Sequence, residues 1–326
     1  MAGAELRDLS SGGPRALFAG LCTLDIIQGV TRMPGRNEKV TAQRQAIAAG
    51  GPATNAAVTF AFLGGQATLV TGVGGHPLTR GMLVDLQHAG VTLIDAAAGH
   101  DAPPAVSSII VTEGTGDRCV VSTNAVDLCL QPPSTLDDLV AAADVVLIDG
   151  HHPAVALAVA RLARTRGRPC ILDGGSWKPH TPDLLPHVDI AICSADFRPP
   201  SWPSGSPRGA DVLDALLDAG VPWAAVTDGS RAVRWASGDG ARGASAGGAS
   251  AGGLRGEVPV PPVDAADTLG AGDIFHGAFT YAMAGAGAVD PESFGSALRF
   301  AACVAAHSCR TFGTRSWMAS WPPSAL

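Results

Sequence analysis

The seven residues Asp267-Thr268-Leu269-Gly270-Ala271-Gly272-Asp273 carry the sharpest chemistry in this chain of 326 residues. Gly270, Ala271 and Gly272 have almost no side chain, so backbone N–H groups can crowd the start of the helix that Ile274-Phe275-His276-Gly277-Ala278-Phe279 predicts. Unpaired N–H donors and the positive end of the helix dipole make such a place an anion site, suited to phosphate. An acid in a helix's first turn is ordinarily a cap. Here Asp267 and Asp273 bracket the small residues, so one acid sits against an anion cradle that would repel it unless it has a proton to accept. A base beside a developing anion is what phosphoryl transfer to an alcohol requires.

A second cluster lies near the other end of the chain. In Gly50-Gly51-Pro52-Ala53-Thr54-Asn55, two glycines lead into an Ala-rich helix bearing one amide. An Asn in the first turn often only caps the helix. The chemical reading is that the glycines let a polyol approach the backbone while Asn55 bonds its hydroxyls. Asp25, in Cys22-Thr23-Leu24-Asp25, stands just past the first predicted strand, where a carboxylate can accept bonds from two vicinal hydroxyls. A loop Asp by itself is a turn former, so Asp25 takes its weight from this company.

The elements that must position these groups alternate as short apolar runs and longer amphipathic or Ala-rich stretches, which predicts an α/β class with a mostly parallel sheet. Strands are expected at 16–20, 67–73, 144–149, 170–173, 189–193 and 223–227, and helices at 53–63, 79–89, 153–166, 210–219, 271–284 and 292–309. Ligands of such sheets bind beyond the carboxyl ends of the strands. Two segments break the rhythm, Thr23 to Ala49 and Ala105 to Thr123, the second a hairpin turning at Glu113-Gly114-Thr115-Gly116-Asp117. They read as one small β-layer inserted at two points. Ser237 to Gly256 is low complexity and reads as a mobile surface loop. Its GxGxxG and GxSxG matches arise from composition, because none sits between a strand and a helix.

Composition narrows the function further. Lys+Arg 22 against Asp+Glu 29 leaves a net charge of −7, which argues against nucleic-acid binding through phosphate neutralisation. The only lysines are Lys39 and Lys178, and neither completes a GxxxxGK[ST] loop, so a Walker-type phosphate loop is excluded. The seven cysteines are scattered and never spaced CxxC, and His151, His152 and His307 lack metal-ligand spacing, so no disulfide framework and no protein-held metal is expected. No apolar stretch reaches the ~20 residues of a membrane span, and residues 1–13 lack a signal-peptide core. A cytoplasmic enzyme without a membrane partner is the expectation.

Over nearly its whole length the sequence resembles the PfkB carbohydrate kinase family, the ribokinase-like kinases. Its two signature regions are similar to Gly50 to Asn55 and Asp267 to Asp273. Within the family, Gly20 to Asp25, Asp267 to Asp273 and Ala297-Leu298-Arg299-Phe300 resemble ketohexokinase. Gly51-Pro52-Ala53, Leu172-Asp173-Gly174 and Asp273 to Ala278 resemble sulfofructose kinase. The resemblance implies a ribokinase-like sheet sandwiched by helices, formed by residues 14–22, 50–104 and 124–326, with a small β lid formed by 23–49 and 105–123. It implies an ATP-dependent sugar kinase acting on a hydroxyl of a ketose or related sugar. Asp273 would be the general base, and the Gly270, Ala271 and Gly272 backbone the anion hole. Asp25, Gly51 and Asn55 would hold the sugar. Lys39 and Arg118, both in the lid, would meet an anionic group on the substrate. Thr227 and Gly229 match the family's T-x-G turn beside the nucleotide phosphates. Ser194 and Asp196 replace the N-x-x-E motif that organises magnesium through water, so Mg2+ would come with ATP. A monovalent cation such as K+ and a homodimer through the lid also follow from the resemblance.

Two other readings compete with the sugar kinase. A nucleoside kinase shares both signatures but needs an apolar shelf for its base, and Phe18, Phe60 and Phe62 read as core. A non-catalytic sugar or nucleotide sensor would need the pocket but not Asp273.

Overall fold

The computed structural model describes residues 12–200, 212–238, 253–286 and 289–322. Nine strands form the main sheet: β1 (Arg15–Ala19), β4 (Gln66–Thr71), β5 (Val91–Asp95), β8 (Val145–Ile148), β9 (Cys170–Gly174), β10 (Ile190–Ser194), β11 (Trp223–Thr227), β12 (Val233–Ser237) and β13 (Arg255–Val258). Four others form a small sheet: β2 (Thr23–Val30), β3 (Arg44–Gly50), β6 (Val106–Thr112) and β7 (Arg118–Ser122). The helices are α1 (Pro52–Phe62), α2 (Thr79–His88), α3 (Leu136–Ala142), α4 (Pro153–Arg166), α5 (Thr181–Leu184), α6 (Val212–Asp218), α7 (Ala271–Ala284) and α8 (Pro291–Ser308).

The main sheet runs β13-β12-β11-β10-β9-β8-β1-β4-β5, parallel from β5 to β11 and antiparallel at the β12 and β13 edge. Parallel strands are covered on both faces, which is why β8 is an unbroken, fully buried Val-Val-Leu-Ile. β1 shows how one strand serves two layers. Ala16 and Phe18 enter the core shared with α1, α7 and α8, while Leu17 and Ala19 enter the core on the opposite face with α4. The chain leaves β1 for β4 and β5 on one side and returns to β8 on the other, so a crevice opens at the carboxyl ends of β1 and β8.

The small sheet is ordered β3-β2-β6-β7, with β2 antiparallel to β3 and parallel to β6. Its inward face carries Ile27, Ile109 and Val111, which pack with Ala46, Leu269 and Phe312. It therefore sits on the Asp267–Asp273 loop and on the loop that follows α8. The ladder pairs Ile47 with Ile26, Ile26 with Ser108, and Ser108 with Val121 across the opposite face, where Ile47 and Val121 are exposed.

Helix α7 lies against α1 and α8 and is buried over most of its length. It approaches α1 closely at Gly277, where a Cβ would stand 2.4 Å from the Ala56 carbonyl oxygen and 2.7 Å from Thr59 Cβ. This contact sets the spacing of the two helices one turn beyond Asp273.

The predicted helices at 153–166 and 271–284 and the predicted strand at 223–227 have these bounds in the structure, and the ends of the other predicted elements differ by one or a few residues. Residues 210–211 of the helix expected at 210–219 lie outside the described residues, as do 239–252 of the expected loop. The ends of that loop are strand: Ser237 closes β12, and Arg255 and Gly256 open β13, with Trp235 opposite Gly256. Pairing at the sheet edge overrides the composition there. Replacing Gly277 by Ala is expected to lower stability by about 1–3 kcal/mol through overpacking, read as a lower urea midpoint with an unchanged m-value. An unchanged midpoint would show that the helices are not held at this distance.

Candidate active site

The crevice is organised first by Asp149, at the end of β8. Its carboxylate accepts N–H bonds from Leu21 (2.8 Å), Ala53 (3.1 Å) and His151 (2.8 Å), joining the exit of β1, the start of α1 and the turn after β8. Burial works against its charge, but His151, Lys178 and these backbone donors hold its carboxyl below the ordinary range. Gly51, at φ +98°, opens α1, and Gly50 precedes it with its Cα edge against the Asp25 carboxylate. Asp25 lies buried in β2 and accepts a 2.6 Å bond from the Thr23 hydroxyl. Loss of hydration raises its carboxyl from the usual range.

From α1, Asn55 reaches across to α7. Its Nδ2 donates to Asp273 Oδ2 at 2.8 Å, closing a contact between residues 218 apart in sequence. The first turn of α7 is built around Gly270, whose φ of +70° is left-handed; a Cβ there would lie 2.9 Å from Thr314 Cγ2. A Cβ on Gly272, by contrast, would meet nothing within 4 Å, so open space stands in front of that turn. The Ala271 N–H bonds the Thr268 carbonyl at 3.3 Å, while the Gly272 and Asp273 N–H groups belong to the first turn that a helix leaves unpaired. Asp267 braces this loop by accepting from Leu269 N–H (2.8 Å) and Gly313 N–H (2.9 Å). Behind it, His276 stands with Nδ1 2.7 Å from the Gly272 carbonyl oxygen and Nε2 3.1 Å from that of Ile192, tying α7 to β10. Asp173 Oδ2 lies 3.4 Å from His276 Nδ1.

Asp273 is half-buried in this setting. Loss of hydration, and after it the negative charge of Asp173, push its carboxyl up to about 7, against the Asn55 hydrogen bond and His276, which pull it down.

Other residues singled out in the sequence fall around this centre. Ser194 and Thr227 are direct neighbours at the ends of β10 and β11, where Ala195 N–H bonds the Thr227 carbonyl at 2.9 Å. Asp196 is exposed just beyond and donates its backbone N–H to Ser194 Oγ at 3.2 Å, and Gly229 turns the chain after β11 at φ +58°. Arg118, at the start of β7, donates to Thr268 Oγ1 at 2.6 Å, so the small sheet touches the Asp267–Asp273 loop directly. Lys39 is exposed in the loop between β2 and β3 and makes no hydrogen bond or ion pair with the described residues. Thus Asp25, Gly51, Asn55, Gly270, Gly272 and Asp273 gather at one place, with Arg118 at its edge, while Lys39 is exposed in its loop.

Sequence reasoning missed Arg315, which contacts Asn55 from the loop after α8 (Nη1 to Oδ1, 2.9 Å). It also missed Asp149 and the Asp173–His276 pair. Their signals were faint, since each is a single polar residue at the end of an apolar run or in a Gly- and Ser-rich segment. Among the described residues no group of three or more His, Cys, Asp and Glu side chains is placed to hold a metal ion, and no helix is long and apolar enough to cross a membrane.

The comparisons with known proteins bear on what this arrangement does. The chain is 25% identical over 305 residues to the ribokinase of Bacillus subtilis, covering 92% of this chain and 94% of that one. Its structure superposes on that of a proposed ribokinase from Agrobacterium tumefaciens with a TM-score of 0.77 at 29% identity, covering 95% and 99% of the two chains. It superposes on Arabidopsis thaliana ribokinase in complex with ribose and ATP with a TM-score of 0.71 at 21% identity, covering 95% and 96%. The family model described as pfkB family carbohydrate kinase matches residues 15–321, from the first strand to beyond Arg315. An acid against a helix N-terminus, in a ribokinase-like sheet with a second small sheet over it, thus has its place: the chain belongs to the pfkB family of carbohydrate kinases, phosphotransferases with a sugar hydroxyl as acceptor.

Proposed function

We propose that this protein is an ATP-dependent kinase transferring the γ-phosphoryl group to a primary hydroxyl of a ketose or a related sugar such as ribose. The observation that carries the reading is Asp273 at the N-terminus of α7, bonded by Asn55 and facing the open space beside Gly272. In this reading Asp273 accepts the hydroxyl proton while the sugar oxygen forms a bond to the γ-phosphorus and the bond to the ADP oxygen breaks. A carboxyl held near 7 by its surroundings is a stronger base than an ordinary aspartate and still ionises near neutral pH. The N–H groups of the Gly270–Asp273 turn receive the negative charge on the transferring group. Asp25 and Asn55 hold sugar hydroxyls, and Gly51 lets the sugar approach the chain.

The turn after β11, with Thr227 and Gly229, takes the nucleotide phosphates, and Ser194 and Asp196 stand beside it. Mg2+ bound to the triphosphate supplies charge neutralisation; Asp196, an exposed carboxylate beside that turn, suits an outer contact to its water shell. The four-stranded sheet acts as a lid, supported by its contact through Arg118 with Thr268. An anionic group on the sugar would fall to Arg118 and Lys39. The exposed Ile47 and Val121 on the lid's outward face support a homodimer through that face. A nucleoside acceptor is disfavoured because Phe18 and Phe60 pack edge-on in the core (5.5 Å) and Phe62 packs on Trp317 (5.0 Å), so these rings are taken up in packing.

Three results are expected. With MgATP, with and without K+, ADP release is stimulated by one of fructose, ribose, tagatose, sulfofructose, fructose phosphates or adenosine, and Asp273→Asn abolishes it; near-native turnover in that variant would sink the assignment. Gly272→Ala should leave the unfolding free energy within about 0.5 kcal/mol of wild type, because its methyl meets no neighbour, yet remove turnover by filling the phosphate space. The third concerns stability. A carboxyl raised on folding binds its proton more tightly in the folded than in the unfolded chain, so the folded state loses stability as pH rises from about 4 through about 7. Asp273→Asn removes that loss. The variant should therefore melt above wild type at pH 8, with the difference shrinking towards pH 4; an equal difference at both pH values would contradict a raised carboxyl.

A further inference from the structure

Arg315 carries a mostly buried guanidinium that neither composition nor motif points to. It projects from the turn after α8, where Trp317 is fully buried and donates its indole N–H to the Thr314 carbonyl at 3.2 Å. Its Nη1 donates to Asn55 Oδ1 (2.9 Å) and Thr314 Oγ1 (3.1 Å). Its Nη2 donates to the Ala49 carbonyl (2.6 Å) and reaches Asp85 Oδ2 on α2 (3.5 Å). Asp85 Oδ2 in turn accepts the Ala49 N–H at 2.9 Å. The end of β3, helix α2 and helix α1 thus converge on one side chain.

A guanidinium has donors only, whereas a carboxamide has one donor end and one acceptor end. Whichever atom of Asn55 faces Arg315 must therefore be the oxygen, and the NH2 is left facing Asp273. We infer that Arg315 is a positioning residue for phosphoryl transfer: by fixing the carboxamide of Asn55, it obliges Asn55 to donate to Asp273 Oδ2 and so holds the base ionised and oriented. Without it, the amide can turn its oxygen to a protonated Asp273 and accept from the acid's O–H, which favours the neutral carboxyl over the ionised base. The inference rests on the reading of Asp273 as the base.

The other charged groups around Asp273 are Asp173 on β9, His276 on α7 and Asp25 on β2, and none of them touches Asn55. Arg315 itself carries the opposite charge of Asp85 and Asp25 nearby. An effect of Arg315 on Asp273 that runs through Asn55 is therefore separable from these charges by a double-mutant cycle.

The experiment uses the full chain and two readouts. The first is the titration of Asp273 followed by the carboxyl 13C signal of labelled aspartate, assigned by its loss in Asp273→Asn, which needs no turnover. Arg315→Gln is expected to move this titration to higher pH, Arg315→Lys to move it less, and Arg315→Gln in an Asn55→Leu background to move it no further than Asn55→Leu alone. The second is the pH profile of kcat on whichever sugar is turned over. At pH 7 Arg315→Gln should lose about tenfold in kcat, the equivalent of one charge-assisted hydrogen bond, with KM for ATP unchanged and most of the loss recovered at higher pH.

An unchanged Asp273 titration in both single variants would overturn the proposal, leaving Arg315 a structural tie. So would an equal shift with and without Asn55, which would make Arg315 a through-space charge. A raised KM for anionic sugars with an unmoved acid limb would instead make it a substrate contact and overturn the positioning role. Absence of turnover on every sugar by wild type would count against the functional reading, while the titration would still decide whether Arg315 acts on Asp273.

Discussion

The distance between α1 and α7 is the constraint on which the rest of the structure depends. Where the two helices meet, one has a glycine and the other presents a backbone carbonyl, and no larger residue fits at Gly277 without displacing Ala56 or Thr59. One turn earlier on α7 and at the facing position of α1, that approach leaves room for a single hydrogen bond, from Asn55 to Asp273. Asp273 is then held at the mouth of a helix whose unpaired N–H groups look outward, with its own hydration partly removed. Folding thus places a carboxylate where an anion belongs, and the local environment answers by raising its affinity for a proton.

Around this contact, the polar side chains are used mainly to tie loops. Asp149 gathers three N–H groups from three elements, Asp267 two, and Asp95 three at the neighbouring strand end, from Val73, Gly74 and Ala97. Each carboxylate caps backbone donors that no sheet or helix satisfies, and each sits at the carboxyl end of a parallel strand or before a helix. The loops that form the floor of the crevice are fixed in this way, and the small sheet rests on them through the apolar cluster of Ile27, Ala46, Ile109 and Val111, through Arg118, and at the end of β3 through the bonds of Ala49 to Arg315 and Asp85.

What could be read in the sequence was whatever the local chain encodes. The run from Gly270 to Asp273 announces a helix start with an acid in it, and Pro153 and Gly167 bracket a helix whose bounds are those expected. The central strands are legible because they are short and apolar throughout. Strands β12 and β13 were not, because one of them starts in a glycine-rich stretch and is held by its partner, not by its own propensity. The site was half legible for a similar reason. Asp273 and Asn55 sit in patterned surroundings, but Arg315 lies 260 residues from Asn55 in a segment with no motif to single it out. Only the folded chain shows that its guanidinium is engaged by Asn55, Thr314, Ala49 and Asp85. Lys39, singled out because lysines are rare here, stays exposed in its loop, where a long cation is readily solvated.

The central claim is that the turn from Gly270 to Asp273 is where the acceptor hydroxyl and the transferring phosphoryl group meet. The most direct measurement is a crystal structure with a sugar that is turned over and a non-hydrolysable ATP analogue. The account predicts one sugar hydroxyl within about 3 Å of Asp273, the terminal phosphate against the N–H groups of that turn, and Asp25 on other sugar hydroxyls. A sugar bound with no hydroxyl at Asp273, or a terminal phosphate seated away from Gly272, would contradict it.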